Sequence, residues 1–388
     1  MSDAGSPEED EWYFGREQTR VKHELLRHYL VAFAAIIGQK WKSITFVDTF
    51  SGPWQSRSKD LNDTSFAIAA QQLKAACSQL ISMGRTPPQL RAFFVEKDQA
   101  AYELLQQWID RTDGIEITSR NADYADCIDD ICDYISKDSD TFPFILIDPK
   151  GWKLPLKTIT PLLQHDPGEA VVMLMTEHVR RFIGDQRDYV RATFDETFGI
   201  DDVHQWFSGI EKKDRDMAIV ERYMSRLQQA GGFAYASAVQ VLHGLKNRTH
   251  FHLIYLTRHH RGVAKFKDAE RKAMETMESA RAEAEKRSGK AAEMPLFADL
   301  PTPPSQHYDQ LRREALTRMR RTIDASLENQ SVGYDDLWAR CMRLPLVWNR
   351  DVSDYLLEGR TQSRWQVNGM KPKQRVLKPG EGIRIGRE

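Results

Sequence analysis

The segment ITFVDTFSGPW (residues 44–54) decides the fold of this chain. Its first five residues, Ile44 to Asp48, form a short apolar run that ends in an acid, which is typical of a buried β-strand. Ser51-Gly52 follows and predicts a tight turn, because small residues let backbone N–H groups approach a ligand. The segment therefore predicts a strand that brings a carboxylate and a flexible turn to one edge of a sheet.

Similar apolar runs recur along the chain, separated by segments with helical spacing. They lie at 90–95, 115–118, 142–147, 170–175, 233–241 and 251–257. Strands that alternate with helices of ten or more residues indicate βαβ units and a parallel sheet. Strands without polar alternation indicate that helices cover both faces, and the last two runs predict an antiparallel pair at one edge. We therefore predict an α/β fold, with a doubly wound, Rossmann-like sheet of about seven strands.

Composition excludes several classes of protein. The 388 residues carry 55 Lys and Arg against 56 Asp and Glu, so the net charge of −1 indicates no particular partner. No apolar run approaches the ~20 residues that cross a bilayer, and the acidic start lacks the basic and apolar regions of a signal peptide. The four cysteines lack CxxC spacing, which favours reduced thiols. We therefore predict a cytoplasmic protein without membrane association.

Changes in composition divide the chain into four parts. We predict a disordered acidic tail at 1–16, a Rossmann-like domain at 17–287, a proline-rich linker at 288–305 and a small domain at 306–388. In the last part a helix, a short helix, a further helix and a glycine-containing tail with strand character follow one another. That order predicts a winged-helix domain.

An acidic residue follows each of the first four strands. In strand order these residues are Asp48, Glu96, Asp123 and Asp148. Ligands of open α/β sheets bind beyond the carboxyl ends of the strands, and a carboxylate after the second strand is placed to accept hydrogen bonds from ribose hydroxyls. Single acids of this kind are usually loop residues or helix N-caps, but the ordered set predicts a nucleoside site. The chain has neither GxGxxG after the first strand nor a P-loop, which argues against nicotinamide and P-loop binding.

This arrangement resembles class I S-adenosylmethionine-dependent methyltransferases. Four segments resemble the three-Cys-motif partner family: KHELLRHYL (22–30), FVDTFSGPW (46–54), FFVEKD (93–98) and FILIDPKGW (144–152). The resemblance covers about residues 17–270 by motif and the C-terminal part in outline only. It implies a methyltransferase-like domain, often with a C-terminal winged helix-turn-helix, in bacterial proteins whose genes neighbour one for a three-cysteine radical-type protein.

The resemblance also implies a site for S-adenosyl-L-methionine. The implied cofactor-binding residues are Lys22, His23, Asp48, Phe50, Ser51, Gly52, Glu96 and Asp123. Glu96 would hold the ribose and Asp123 the adenine, while the first strand and its turn would line the methionine and ribose part. Lys22 and His23 resemble a segment that closes over the methionine moiety in some methyltransferases; the alternative is an exposed helix face.

Asp148-Pro149 resembles the start of the D-P-P-Y motif of amino-methylating enzymes. In that motif the acid and a prolyl carbonyl accept hydrogen bonds from an exocyclic amine, while an aromatic ring stacks on the flipped base. The predicted catalytic residues are therefore Asp148, Pro149 and Trp152. Lys150-Gly151 replaces the second proline and the tyrosine, so Trp152 is the only nearby aromatic, and core packing is an equal alternative for it.

Basic residues are concentrated near the C-terminus, where 360–388 holds eight cations against two glutamates. Such a local excess suits phosphate contacts, although a solvated tail is the alternative. The predicted nucleic-acid-binding residues are Arg350, Arg360, Arg364, Lys371, Lys373 and Arg375, with Arg350 at the start of a candidate recognition helix. A histidine-rich segment at 250–260 lacks a nearby acid, so no metal site is predicted.

Two functions are consistent with these observations. The leading prediction is a methyltransferase that acts on nucleic acid. The alternative is a catalytically weak or inactive methyltransferase-like domain that serves as a DNA-binding accessory of a three-cysteine radical-SAM-type partner protein. Two departures from the family pattern favour that alternative. Pro53-Trp54 stands where a second glycine is usual after the first strand, and Lys150-Gly151 replaces the second proline and the tyrosine.

Overall fold

The computed structural model describes residues 11–53, 55–212, 214–288, 305–328 and 330–386. Its main feature is a seven-stranded sheet. The strands are β1 (Ser43–Asp48), β2 (Gln89–Val95), β3 (Glu116–Arg120), β4 (Thr141–Ile147), β5 (Glu169–Leu174), β6 (Tyr235–His243) and β7 (Lys246–Thr257).

The strand order is β3-β2-β1-β4-β5-β7-β6. The first five strands are parallel, and Val47 at the centre of the sheet pairs with Phe93 of β2 and with Ile145 of β4. β7 runs antiparallel to both β5 and β6. The prediction of a doubly wound α/β sheet of about seven strands is thus confirmed, and the fold is of the Rossmann-like methyltransferase type.

Helices cover both faces of this sheet. They are α1 (Glu17–Ile37), α2 (Ser65–Ser82), α3 (Gln99–Ile109), α4 (Ile128–Ser136), α5 (Leu156–Leu163), α6 (Thr176–Phe182), α7 (Asp188–Phe198), α8 (Val203–Ser208), α9 (Arg215–Gly231) and α10 (His260–Arg287). Because side chains alternate along a strand, Phe46 packs in the cluster beneath α1, α2 and α10, whereas Val47 packs in the cluster beneath α4, α5 and α9. Two apolar cores, one on each face of the sheet, therefore hold the strands and their carboxyl ends in place.

The ordered chain begins earlier than predicted. The acidic composition predicts a disordered tail that includes 11–16, but Tyr13 is buried and Arg16 is only 9% exposed. Arg16 pairs with the buried Asp63 at 3.2 Å, from Nη1 to Oδ2. The prediction is therefore wrong for 11–16, because these residues bury an aromatic ring; the rest of the predicted tail lies outside the described residues.

The C-terminal residues form a second, smaller unit. Its helices are α11 (Gln306–Ser326), α12 (Tyr334–Met342) and α13 (Asn349–Thr361), and its strands are β8 (Val332–Gly333), β9 (Gln366–Asn368) and β10 (Arg384–Gly386). The strands form an antiparallel sheet in the order β8-β10-β9. These elements follow the predicted order, while the winged-helix assignment stays a prediction.

Buried polar contacts join this unit to α10, which packs on the main sheet. Lys267 and Glu270 of α10 are fully buried and paired at 2.8 Å. Lys267 also donates to the carbonyl of Leu344, and Glu270 accepts from the amide of Leu346. Most of the predicted linker, 289–304, lies outside the described residues.

The described parts of the chain contain neither a candidate membrane-spanning helix nor a candidate metal site. None of the helices there is long and apolar enough to span a membrane. In the same ranges, no three or more His, Cys, Asp or Glu side chains are grouped so that they could hold a metal ion.

Candidate functional site

The end of β1 builds the floor of the site. The Asp48 carboxyl is fully buried and accepts hydrogen bonds from Ser65 Oγ at 2.6 Å and from the Phe50 amide at 3.0 Å. Ser51 is also buried: its amide donates to the Val95 carbonyl and its hydroxyl to the Asp48 carbonyl. Burial raises the pKa of Asp48 to about 6. Asp48 and Ser51 therefore shape the turn, which leaves Phe50 and Gly52 to line the cleft.

The ends of β2 and β3 border one cavity of about 520 Å³. Glu96, only 3% exposed, lines it and accepts a hydrogen bond from the Asp98 amide at 2.7 Å. Burial raises the pKa of Glu96. Asp123 lies on the same cavity, where it caps a 3₁₀-helix by accepting from the Ala125 amide. The structure thus brings the two predicted nucleoside acids together.

Aromatic rings form the walls of this cavity. Phe50 and Tyr124 both line it, with ring centroids 4.9 Å apart. Trp152 also lines it, and its ring stacks on the core residue Phe194 at 4.1 Å. Trp152 therefore packs against the core, which is one of the two alternatives that the sequence leaves open, and it lines the Glu96 cavity rather than the cleft that holds Asp148.

The end of β4 borders a second cleft, of about 490 Å³. Asp148 lies there in an ion pair with Lys22 of α1, and both side chains are more than four-fifths buried. His23 lines the same cleft, its Nδ1 lying 3.0 Å from the Tyr13 hydroxyl, and burial lowers the pKa of His23 well below its usual value. Lys22 and His23 thus line the same cleft as Asp148 and do not form an exposed helix face.

The two cavities adjoin each other. Phe50, Pro149 and Lys150 line both of them. Predicted residues from the ends of four strands therefore surround one continuous region at the carboxyl edge of the sheet, where ligands of α/β proteins bind. Asp48 and Ser51, which the sequence also predicts to contact the cofactor, line neither cavity and lie buried beneath the turn. Trp54 lies outside the described residues.

Sequence reasoning missed two groups at this site. Asp63 fixes the loop beside the second cleft, because it accepts from the Arg57 amide at 2.9 Å and pairs with Arg16. His250 of β7 also lines that cleft and is paired through Nδ1 with Glu177 at 2.7 Å. No local motif precedes Asp63, and His250 and Glu177 meet only because β7 lies beside β5.

The structure places the predicted nucleic-acid residues in different settings. Arg350 is exposed and pairs with Asp354 one turn further along α13, at 3.3 Å. Arg364 lies over the Tyr355 ring and donates to its hydroxyl at 3.1 Å, so it contributes to packing. Lys371 lies 3.9 Å from a Glu381 oxygen. The remaining three are exposed: Arg360, Lys373 and Arg375.

The comparisons with known proteins add little. No family model and no curated protein matches the chain. Among solved structures, a Legionella pneumophila protein of family DUF519 is similar over 68% of this chain and 93% of its own, with 9% identity and a TM-score of 0.38. The plantazolicin methyltransferase BpumL, solved in complex with SAH, is similar over 66% and 92%, with 10% identity and a TM-score of 0.27. Scores this low carry no argument about function.

Proposed function

We propose that this protein is an S-adenosyl-L-methionine-dependent methyltransferase that acts on nucleic acid. One observation carries the proposal: Glu96, Asp123 and Asp148, which follow three strands of the parallel part of the sheet, line two adjoining cavities at one edge of a methyltransferase-like fold. Glu96 and Asp123 line one of these cavities and Asp148 lines the other, so the three carboxylates surround one region.

The donor and acceptor groups fit such a cofactor. The Glu96 carboxylate is held at the cavity by the Asp98 amide and would accept from the ribose hydroxyls. Phe50 and Tyr124 offer flat apolar walls to the adenine, and Asp123 an acceptor for its amino group. Lys22, in the second cleft, would pair with the methionine carboxylate. When bound, the cofactor supplies an activated methyl group.

Asp148 and Pro149 would then hold the nucleophile. A substrate amine would donate its two N–H groups to the Asp148 carboxylate and the Pro149 carbonyl. Its nitrogen lone pair then stays free, and the two hydrogen bonds fix the direction in which that lone pair points. In the structure the ammonium group of Lys22 is paired with the Asp148 carboxylate. If Lys22 turns to the carboxylate of the cofactor, Asp148 becomes available to the amine, so the cofactor binds before the substrate.

The basic C-terminal unit supports nucleic acid as the substrate class. Lys371, Lys373 and Arg375 lie exposed in one loop, and each phosphate contact contributes about 0.9 to the slope of log affinity against log salt. Replacement of all three by Gln should lower the magnitude of that slope by about 2–3. The slope is measured by fluorescence anisotropy with a labelled 20-mer, either duplex or single-stranded. An unchanged slope would remove this loop from the interface.

Calorimetry with S-adenosylhomocysteine tests the cofactor site. Glu96→Ala removes hydrogen bonds to a charged acceptor, each contributing about 1.5–3 kcal/mol, so we expect the affinity to fall by about 100-fold. Glu103→Ala, on the exposed surface of α3, is the control and should bind as the wild type does. No binding by the wild type, or equal binding by Glu96→Ala, would contradict the site.

Radiolabelled methyl transfer to total RNA and DNA tests the reaction. We expect Asp148→Asn to abolish transfer and to keep the affinity for S-adenosylhomocysteine within a few fold. Cofactor binding without transfer, even when the three-cysteine partner is added, would instead support the accessory function that Lys150-Gly151 favours.

A further inference from the structure

A third cavity, of about 210 Å³, opens at the edge of the main sheet opposite to Asp148. It is lined by Phe142 near the start of β4, Glu169 at the start of β5 and Thr257 at the end of the antiparallel β7. The end of α1 and the first turns of α10 complete it. None of its described lining residues borders the two cavities around Glu96 and Asp148, so it is separate from the proposed cofactor site.

One part of this lining is apolar and partly exposed. It consists of Phe33, Ile36 and Ile37 of α1, together with Trp41 and Phe142. The Phe142 ring makes T-shaped contacts with Phe33 and Trp41, with ring centroids 5.7 and 5.8 Å apart. Trp41 and Phe142 are only half-buried, and Ile36 is 36% exposed. A concave aromatic surface that meets water favours an apolar ligand, because binding removes that surface from water.

Another part of the lining is basic. Lys40, which follows α1, and Arg261 of α10 line the cavity and are exposed. Two further cations of the lining, Arg258 and Lys265, each pair with an aspartate, at 3.6 and 3.4 Å. Among the residues that the structure describes, Lys40 and Arg261 have no ion-pair partner. Burial lowers the pKa of His259, and nearby cations, including Arg261 and Lys40, lower it further, so both cations lie near this ring.

The two acids that line the cavity are already engaged. Asp166 is the aspartate that pairs with one of the lining arginines. Glu169 is 5% exposed, and its oxygens accept hydrogen bonds from the hydroxyl groups of Tyr29, at 2.5 Å, and Thr257, at 2.9 Å. The two unpaired cations therefore remain available to an anionic ligand, which would form charge-assisted hydrogen bonds with them.

We infer that this cavity binds a small organic anion with an apolar body, such as an aromatic or aliphatic carboxylate. The apolar body packs on Ile36, Trp41 and Phe142, while the anionic group pairs with Lys40 and Arg261. A nucleic-acid phosphate would contact the cations but leave the apolar surface uncovered, and an organic cation would meet positive charge. The volume of about 210 Å³ is below the roughly 300 Å³ at which common ligand pockets begin, so the ligand is small.

Calorimetry with the full chain and three matched ligands tests this inference. The ligands are naphthylacetate, the uncharged naphthylacetamide and the cationic naphthylethylamine, which share one ring system. Because hydrogen bonds between charged groups are stronger than neutral ones, we expect the acid to bind at least about tenfold more tightly than the amide. The amine should not bind measurably. Octanoate and octanamide form a second arm, and tighter binding of octanoate than of naphthylacetate identifies the apolar body as a chain.

Two sets of variants locate the binding. Lys40→Gln combined with Arg261→Gln should lower the affinity for naphthylacetate to that for naphthylacetamide and leave the affinity for the amide unchanged. Arg271→Gln combined with Lys272→Gln removes the same charge from the exposed surface of α10 and should bind both ligands as the wild type does. Trp41→Ala should weaken the binding of both ligands and keep the ratio between them.

No preference for the acid over its amide in either arm would overturn the inference. The same preference in the double variant at Lys40 and Arg261 would also overturn it.

This site does not depend on the proposed methyl transfer. S-adenosylhomocysteine should bind the double variant at Lys40 and Arg261 as it binds the wild type. Glu96→Ala, in turn, should leave naphthylacetate binding unchanged. Loss of one binding activity with retention of the other therefore shows which of the two proposals has failed.

Discussion

Asp48 carries a buried charge whose energetic cost can be measured directly. Burial raises its pKa from 3.8 to about 6, although the hydrogen bonds from Ser65 and Phe50 oppose that rise. In the unfolded chain the carboxyl has its ordinary pKa. As the pH rises between these values, the unfolded chain loses a proton that the folded chain keeps. The stability that neutral Asp48 contributes is therefore present below a pH of about 4 and lost as the pH rises through about 6.

Asp48→Asn removes the charge and can keep the geometry. The amide oxygen can accept from the Phe50 amide, and the amide nitrogen can donate to Ser65 Oγ. A pKa of about 6 against 3.8, at roughly 1.4 kcal/mol per unit, corresponds to ~3 kcal/mol. We therefore expect the variant to be ~3 kcal/mol more stable than the wild type at pH 8, and about half as much at pH 5.

Urea unfolding at both pH values, followed by circular dichroism, measures this difference. Because the comparison is between variant and wild type, titration of other groups cancels. Asp110→Asn, an exposed substitution at the end of α3, controls for a general charge effect and should change stability little at either pH. A stability gain in Asp48→Asn that is equal at the two pH values, or a loss at pH 8, would refute the reasoning.

Two further substitutions test how the C-terminal unit is held. Lys267→Met leaves the Glu270 charge buried without its partner, so we expect urea unfolding to show a loss of about 3–5 kcal/mol, with most of it recovered when Glu270 is also replaced by Leu. In Gly359→Ala, the new Cβ would lie 2.1 Å from a ring carbon of Trp365. We expect that variant to lose about 1–3 kcal/mol, read by tryptophan fluorescence during unfolding, whereas Gly209→Ala, which meets open space, should unfold like the wild type.

The strand ends were predictable because their signal is local. In β1, β2 and β4 an apolar run buried on both faces stops at an acid, and the residue that ends the run must emerge at the edge of the sheet. The sequence therefore places Glu96 and Asp148 correctly at that edge. The same logic fails for β7, which begins at Lys246 rather than Phe251, because its first residues are polar and project beyond the buried part of the sheet.

Other features depend on contacts between distant segments. Tyr13 is ordered because its ring and hydroxyl meet His23, and nothing in the acidic tail indicates that contact. Arg364 reads as a surface cation, yet it lies over the ring of Tyr355. Long cationic side chains often cover aromatic surface, so charge counts along a sequence overestimate the charge available to a ligand.

The end of the seven-stranded sheet has a consequence for how the chain can be dissected. On the outer strand, β6, the Ala238 amide donates to the Arg343 carbonyl, and Ser237 Oγ donates to the Met342 carbonyl. A shortened protein that stops before α11 would expose those groups to solvent. An exposed sheet edge of this kind can pair with strands of other molecules. The smaller unit thus covers part of the edge at β6, and we expect a chain shortened before α11 to associate with itself more readily than the full chain.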